Sequence, residues 1–312
     1  MLSAKGGYIM RQRFWRVTLI LVMSVLLSCG QLQSYTNGDL VLVAGATGRQ
    51  GAAVVNELMG RGYRIRALTR KPSSDAAQAL AARGIDVVKG DYGDIPSLDA
   101  ALKGVDKLFF YSGFSRNELE EGLNVLDAAA RADVKHIVYS SGAAAEPVKG
   151  VPGPKTDIEL AIVTGDVPYT VFRPVAFMEN YAGQQKRIAR DGIKDSRQLD
   201  RMLHFISIPD IGFFVAEAFD SPKSWQNVAI NIASDEMTVA ELVEVFSEVM
   251  EQPIAYTRVP LDEYLESFPK ILRPLFRWYD EVGYEADVPD FRARYPQLQT
   301  LEGYLHAEGW AP

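Results

Sequence analysis

The sequence predicts an α/β fold: a doubly wound parallel sheet with helices on both faces and a smaller C-terminal α/β lobe. Three observations predict it. Short β-branched and aliphatic runs alternate with amphipathic stretches from residue 39 onward. Strands alternating with helices in this way form βαβ units, whose parallel sheet is covered on both faces. A glycine-rich turn joins the first strand to the first helix, and single glycines (Gly62, Gly84, Gly104) stand where the next helices should end, the place for a residue that tolerates positive φ.

In order, the strands are LVLVAG (40–45), YRIRALT (63–69), IDVVKG (85–90), VDKLFFYS (105–112), HIVYSSG (136–142) and PYTVFRP (168–174). Between them the apolar spacing predicts helices over about 50–61, 74–82, 97–103, 116–132 and 155–164. After residue 174 the regularity falls. HFISIPDIGFFVAEAF (204–219) reads as a short strand and a helix, and NVAINIAS (227–234) as another strand. Thr238 and Glu241 form a capping box that opens a helix to about residue 250. The last 60 or so residues, rich in aromatics, predict small helices against the sheet edge. The chain divides into 1–28, a leader; 29–38, a polar tether; and 39–312, one domain whose C-terminal lobe begins near residue 175.

Composition narrows the function. Of 312 residues, 47% are apolar and 23% charged, with a formal charge of −7, which suits a folded core and not a disordered or repetitive chain. The acidic balance argues against nucleic-acid partners, which need a concentrated basic face. One cysteine and three histidines leave no Cys/His zinc cluster. No G-x-S-x-G elbow and no Gly-Lys-Ser/Thr P-loop is present, and Glu120 and Glu121 are neighbours that point apart on a helix.

The leader carries Lys5, Arg11, Arg13 and Arg16, no acidic residue, and the apolar run VTLILVMSVLL (17–27). Eleven residues match an export signal and fall short of a membrane-spanning helix. Leu26, Leu27, Ser28 and Cys29 resemble a bacterial lipobox, which implies a lipid on Cys29 and a membrane-anchored lipoprotein. A plain signal or anchor, or a later start that leaves the body cytoplasmic, are the alternatives. No cysteine remains after residue 29, so the body needs no oxidising compartment.

The turn GATGRQG (45–51) fits G-x-x-G-x-x-G between strand and helix. Its glycines bring a helix N-terminus, with unpaired N–H groups and a positive dipole end, close to a pyrophosphate. Where an NAD site carries an acid at the end of strand two, this chain has Arg70 and Lys71. A guanidinium there is a bidentate partner for a 2′-phosphate, so NADP(H) is favoured, with Arg49 as a second phosphate partner.

With GATGRQG, TRKPSS (69–74), GDYGD (90–94), YSSG (139–142), FRPVAFMEN (172–180) and the closing TLEGYLHAEGW (300–310), the chain resembles the NmrA-like group of atypical short-chain dehydrogenases/reductases, with an NAD(P)-binding Rossmann fold. The resemblance implies a monomer or homodimer that binds NADP(H), with Gly45, Thr47, Gly48, Arg49, Gln50 and Gly51 around the phosphates and Arg70 at the 2′-phosphate. It places Asp91 and Tyr92 at the adenine, Asp91 being equally readable as a structural cap, and Ser112 and Gly113 along the dinucleotide. Pro174, Phe177, Met178 and Asn180 would line the nicotinamide and substrate cleft, unless the apolar Phe177 and Met178 are simply core.

The catalytic end departs from the Tyr-x-x-x-Lys pattern that short-chain reductases use. Lys155 fits the lysine, but Val151 stands in the tyrosine position and has no proton to give. Ser140 or Ser141 would take the serine role near the substrate oxygen. Two functions follow. One is hydride transfer from NADPH to a quinone-like or conjugated small-molecule acceptor, with water, Lys155 or Tyr181 supplying the proton. The other is a non-catalytic NADP(H)-sensing regulator or assembly factor with a protein partner. A sugar-nucleotide epimerase shares the fold but needs the missing tyrosine.

Overall fold

A computed structural model describes residues 38–113, 115–145 and 150–310; the leader, Cys29 and most of the tether lie outside them. The chain runs β1 (Leu40–Ala44), α1 (Arg49–Gly60), β2 (Arg64–Thr69), α2 (Asp75–Ala82), β3 (Asp86–Lys89), α3 (Ile95–Leu102), β4 (Lys107–Tyr111), α4 (Glu118–Arg131), β5 (His136–Ser140), α5 (Pro154–Thr164) and β6 (Tyr169–Pro174). It continues through β7 (Ala176–Phe177), α6 (Gln185–Asp191), β8 (Ile193–Asp195), β9 (Met202–Ile206), α7 (Ile208–Asp220), β10 (Val228–Ile232), β11 (Asp235–Thr238) and β12 (Tyr256–Arg258), with further short helices to residue 307.

Seven strands form one sheet in the order β10-β6-β5-β4-β1-β2-β3, every pair parallel. All five residues of β1 are buried, as expected for a strand covered on both faces. Its side chains alternate. Val41 and Val43 join a core with Val54, Leu58 and Phe214 of α1 and α7, while Leu40, Leu42 and Ala44 join Leu98, Val125 and Ile158 of α3, α4 and α5. Period-2 alternation thus divides one strand between two helical layers.

Local chemistry sets the helix ends. Ser74 caps α2 and Asp94 caps α3 by accepting the N–H groups of Ala77 and Ser97. The Asp94 cap and Pro96 start α3 at Ile95, two residues before the apolar spacing suggested. Gly62, Gly84 and Gly104 adopt φ of 77°, 83° and 72°. Thr238 and Glu241 make the expected capping box. The pattern missed β7, β8, β11 and β12, two to four residues each, because such short bridges carry too few residues for a period to show.

Two close approaches fix α1. Gly212 of α7 faces the Ala53 backbone, so that a Cβ there would stand 2.8 Å from the Ala53 carbonyl. Beyond this contact Arg61 donates to Glu217 at 2.5 Å and Asp220 at 2.6 Å. A separate C-terminal core gathers Met178, Phe205, Leu242, Phe246, Leu305 and Trp310 beside the three-stranded sheet β11-β9-β7.

His136 opens β5, 1% exposed, with its ring edge-on to Phe219. Thr170 gives its hydroxyl proton to the Trp225 carbonyl, so His136 Nε2 donates to Thr170 Oγ1 at 2.9 Å, while Nδ1 is buried without a hydrogen bond, which disfavours a second proton on the ring. Burial, and then the charge of Lys107, bring its pKa down from 6.5 to about 4. The unfolded chain therefore takes up a proton that the folded chain refuses. Stability should be full above pH 6.5, fall as pH drops toward about 4, and level below, by roughly 3 kcal/mol in all. Denaturant melts across this window should show the drop in the native protein and a flatter profile in His136→Gln; parallel profiles would refute the assignment.

Candidate active site

The C-terminal ends of β1, β2, β4 and β5 carry the candidate site. Gly45 leaves β1 at φ 66°, and Gly48 returns its N–H to the Gly45 carbonyl at 2.8 Å. Gly48 is the N-cap of α1, with no side-chain cap and no acidic residue in the first turn. A twelve-residue helix thus presents a positive end with N–H groups that no capping side chain claims. Gly51 is required by contact: a Cβ there would lie 2.2 Å from the Gly45 carbonyl oxygen. Tyr111, at the end of β4, roofs the turn, its hydroxyl 2.6 Å from where a Cβ of Gly45 or Gly48 would be.

Arg70 and Lys71 are exposed just beyond β2, and Arg49 and Thr47 are exposed in the turn. Among the described residues neither Arg49 nor Arg70 forms an ion pair, whereas Arg66 of the same strand is tied to Asp86 at 2.7 Å. Asp91 closes its own turn by accepting the Gly93 N–H at 2.9 Å, the cap alternative in the sequence. Tyr92 donates to the Tyr111 carbonyl at 3.3 Å, and burial holds its hydroxyl far above the ordinary tyrosine value.

On the α4/α5 side a polar cluster of buried and half-buried groups lies beneath the end of β4. Lys155 Nζ donates to the Ser112 carbonyl at 2.9 Å and to Ser112 Oγ at 2.8 Å, and lies 3.0 Å from Glu118. Ser112 Oγ donates to Glu118 at 2.7 Å and meets the Tyr139 hydroxyl at 2.8 Å. Glu118 is 5% and Tyr139 0% exposed. Next to them, Arg173 and Glu159 form a buried pair: Nη2 and Nε donate to Glu159 Oε2 at 2.7 and 2.8 Å, and Nε also reaches Oε1 at 3.1 Å. Burial lowers the Lys155 ammonium pKa, and the charges of Glu118 and Glu159 oppose the shift.

The structure separates the two serines that the sequence left as alternatives. Ser140 Oγ donates to Gln50 Oε1 at 2.8 Å, tying the end of β5 to the glycine turn. Ser141 is also buried and its backbone N–H bonds to the Phe172 carbonyl. Tyr181 is not brought to Lys155; it packs edge-on to Phe246 in the C-terminal core, where burial raises its pKa. Met178 is fully buried in the same core. A side chain without exposure cannot line a cleft, and Pro174 at the end of β6 is buried too, which leaves exposed Asn180 and Gly113 and half-buried Phe177.

Tyr111, Glu118, Tyr139 and Glu179 escaped the sequence reading. Glu179 lies inside FRPVAFMEN; one oxygen accepts the Ile208 N–H at 2.8 Å, and the other is buried without a hydrogen bond. Burial pushes its carboxyl upward, against the backbone hydrogen bond from Ile208 and the charge of Arg49. Nothing in the linear pattern distinguishes these residues from ordinary strand and helix positions.

The chain matches the NmrA-like family over residues 37–305 and belongs to it. It is 29% identical over 294 residues to the (4-alkanoyl-5-oxo-2,5-dihydrofuran-3-yl)methyl phosphate reductase of Streptomyces griseus, covering 88% of this chain and all of that one. Quinone oxidoreductase 2 of Escherichia coli is 34% identical over 159 residues, 49% of this chain and 54% of its own length. The structure of the Escherichia coli NADPH-dependent quinone oxidoreductase complexed with NADPH superposes with a TM-score of 0.74 at 24% identity, over 86% of this chain and 99% of that one. NmrA, a negative transcriptional regulator solved with NAD, does so at 0.72 and 18%, over 86% and 94%. These likenesses share one Rossmann fold across enzymes and a regulator.

The contact at Gly51 gives a sharp expectation. Gly51→Ala should cost about 3 kcal/mol, the upper end of ordinary overpacking, because the obstacle is backbone. Gly113→Ala, with nothing within 4 Å of the added carbon, should change stability by less than about 0.5 kcal/mol. Urea midpoints of the two variants decide it, and equal midpoints would contradict the packing.

Proposed function

We propose that the protein binds NADP(H) across the glycine turn and reduces a quinone-like or conjugated small-molecule acceptor, as a monomer or homodimer. The observation that carries this reading is the pairing of an uncapped helix N-terminus at Gly48 with Arg70 standing free of any ion pair among the described residues. The turn fits the cofactor: its glycines leave room that a Cβ would fill, between the Gly45 carbonyl and the Tyr111 hydroxyl. Gly45, Thr47, Gly48, Gln50 and Gly51 would hold the pyrophosphate, and Arg49, Arg70 and Lys71 the 2′-phosphate. Asp91 and Tyr92 would bound the adenine, and Ser112 and Gly113 the rest of the dinucleotide. Bound NADPH supplies the hydride.

The proton follows a different route from that of a tyrosine-bearing reductase. Val151 offers none, Tyr181 is half-buried with its ring packed against the C-terminal core, and Lys155 is engaged by Ser112 and Glu118. An acceptor whose reduced anion is stable, such as a quinone or an electron-poor conjugated ring, takes its proton from water after accepting the hydride. The Streptomyces relative is by name a reductase of a conjugated lactone, and the Escherichia coli relative a quinone oxidoreductase; both names fit this class. Phe177 and Asn180 would form the acceptor's side of the cleft. The same Val151 and engaged Lys155 also support the alternative, an NADP(H)-sensing regulator that binds without turnover, as the likeness to NmrA suggests.

Fluorescence titration with NADPH and NADH, followed by oxidation assays over a quinone panel, tests the reading. Tight NADPH binding with acceptor-dependent oxidation supports the reductase, and binding without oxidation supports the regulator. Arg70→Ala should weaken NADPH by roughly 1.5–3 kcal/mol, the worth of a charge-assisted hydrogen bond, and leave NADH nearly unchanged. An equal loss for both cofactors would remove Arg70 from the 2′-phosphate.

We propose further that Cys29 carries a lipid and anchors the body to a membrane, the charged, apolar and small-residue order of the leader being its support. Among the described residues no helix is long and apolar enough to cross a membrane. Cells fed a radiolabelled fatty acid should label the native chain and not Cys29→Ser; an unlabelled native chain would exclude the anchor.

A further inference from the structure

We propose that Glu118 is a positioning residue for Lys155, holding it as a fixed ammonium at the end of β4. The inference rests on the cofactor reading above only for its consequence, not for its geometry.

The hydrogen positions in the cluster are determined by donor counting. Ser112 Oγ has one proton and gives it to Glu118 Oε1 at 2.7 Å. It therefore accepts from Lys155 Nζ at 2.8 Å and from the Tyr139 hydroxyl at 2.8 Å. Glu118 Oε1 also faces Lys155 Nζ at 3.0 Å, and the Ser112 carbonyl accepts at 2.9 Å. Among the described residues, three acceptors stand within hydrogen-bond reach of the ammonium. Every arrow in the cluster thus ends on Glu118 or on Ser112, and one carboxylate compensates the lysine at close range.

Placement makes the carboxylate a built feature. Glu118 is the first residue of α4, where the helix dipole favours a negative charge. It is 5% exposed, so its charge is screened little by water. The other groups facing Lys155 are Glu159 from α5, whose charge is shared with Arg173 of β6, Tyr139 from β5 and Ser112 from β4. Among these described groups, Glu118 is the carboxylate in direct contact with the ammonium. Without it, burial would be opposed only by the more distant charge of Glu159, and the neutral amine would be favoured. Lys155 is then a stationary charge beside Ser112 and Gly113, and not the donor of a proton to the acceptor.

The test is an NMR titration of the Lys155 side chain in the full chain, through its labelled Cε–H signal, assigned by its loss in Lys155→Arg. Glu118→Gln, nearly isosteric, should lower the Lys155 midpoint by about 1–3 pH units. Ser112→Ala keeps the carboxylate and should lower it by less. If the Lys155 midpoint is the same in the native chain and Glu118→Gln, or if Ser112→Ala shifts it more, the assignment is overturned. If Glu118→Gln does not fold, Glu118→Asp decides: a lengthened ion pair should lower the midpoint, and an unmoved one overturns the proposal. NADPH titrations report separately on function. The alkaline loss of affinity should move to lower pH in Glu118→Gln and vanish in Lys155→Arg. A native chain that binds no NADPH would refute the cofactor reading and leave the NMR result to judge Glu118.

Discussion

The contact between Gly51 and the Gly45 carbonyl oxygen is the constraint from which the rest of the site follows. A Cβ at residue 51 would stand 2.2 Å from that oxygen, so α1 can start this close to β1 only without one. The close start directs the helix N-terminus at the space above the sheet. It also sets the line along which α1 meets α7, where Gly212 allows a second backbone-to-backbone approach at Ala53. Arg61, Glu217 and Asp220 close the far end of that helix pair. Two glycines, one at each contact, therefore determine where a positive helix end is presented and how firmly it is held.

The opposite helical layer follows different physics. Its apolar residues, among them Leu98, Val125 and Ile158, pack as an ordinary core, yet the layer also encloses Lys155, Glu118, Ser112, Tyr139, Glu159 and Arg173. Buried charges are costly unless paired and hydrogen-bonded. Here they are paired: Arg173 meets Glu159 through two short bonds, and Lys155 meets Glu118 and Ser112.

Much of the fold was legible because its signals are local and repeated. Strand β1 lies between two helical layers, so its run LVLVA is apolar throughout, and the caps at Ser74, Asp94 and Thr238 are written in single residues. The glycine turn was equally legible, since only glycine satisfies a positive φ at residue 45 and the contact at residue 51. Tyr181 and Met178 were read toward the cleft because FRPVAFMEN and the tyrosine after it are contiguous in sequence. A 3₁₀ turn over Met178–Tyr181 instead directs Met178 into the C-terminal core and Tyr181 against it, and leaves Asn180 outside. A turn with three residues per revolution separates neighbours that a linear motif treats as one unit.

By itself the sequence determined the parallel α/β architecture, the glycine turn, the basic end of β2 and the absence of a tyrosine four residues before Lys155. These depend on residue type at fixed spacing, which chain order preserves. Only the tertiary structure decided which groups surround Lys155 and which serine reaches the glycine turn. Glu118, Tyr139 and Ser112 come from three elements, and Ser140 reaches Gln50 across 90 positions of chain. Such meetings are made by strand order and helix packing, and distance along the chain carries no information about them.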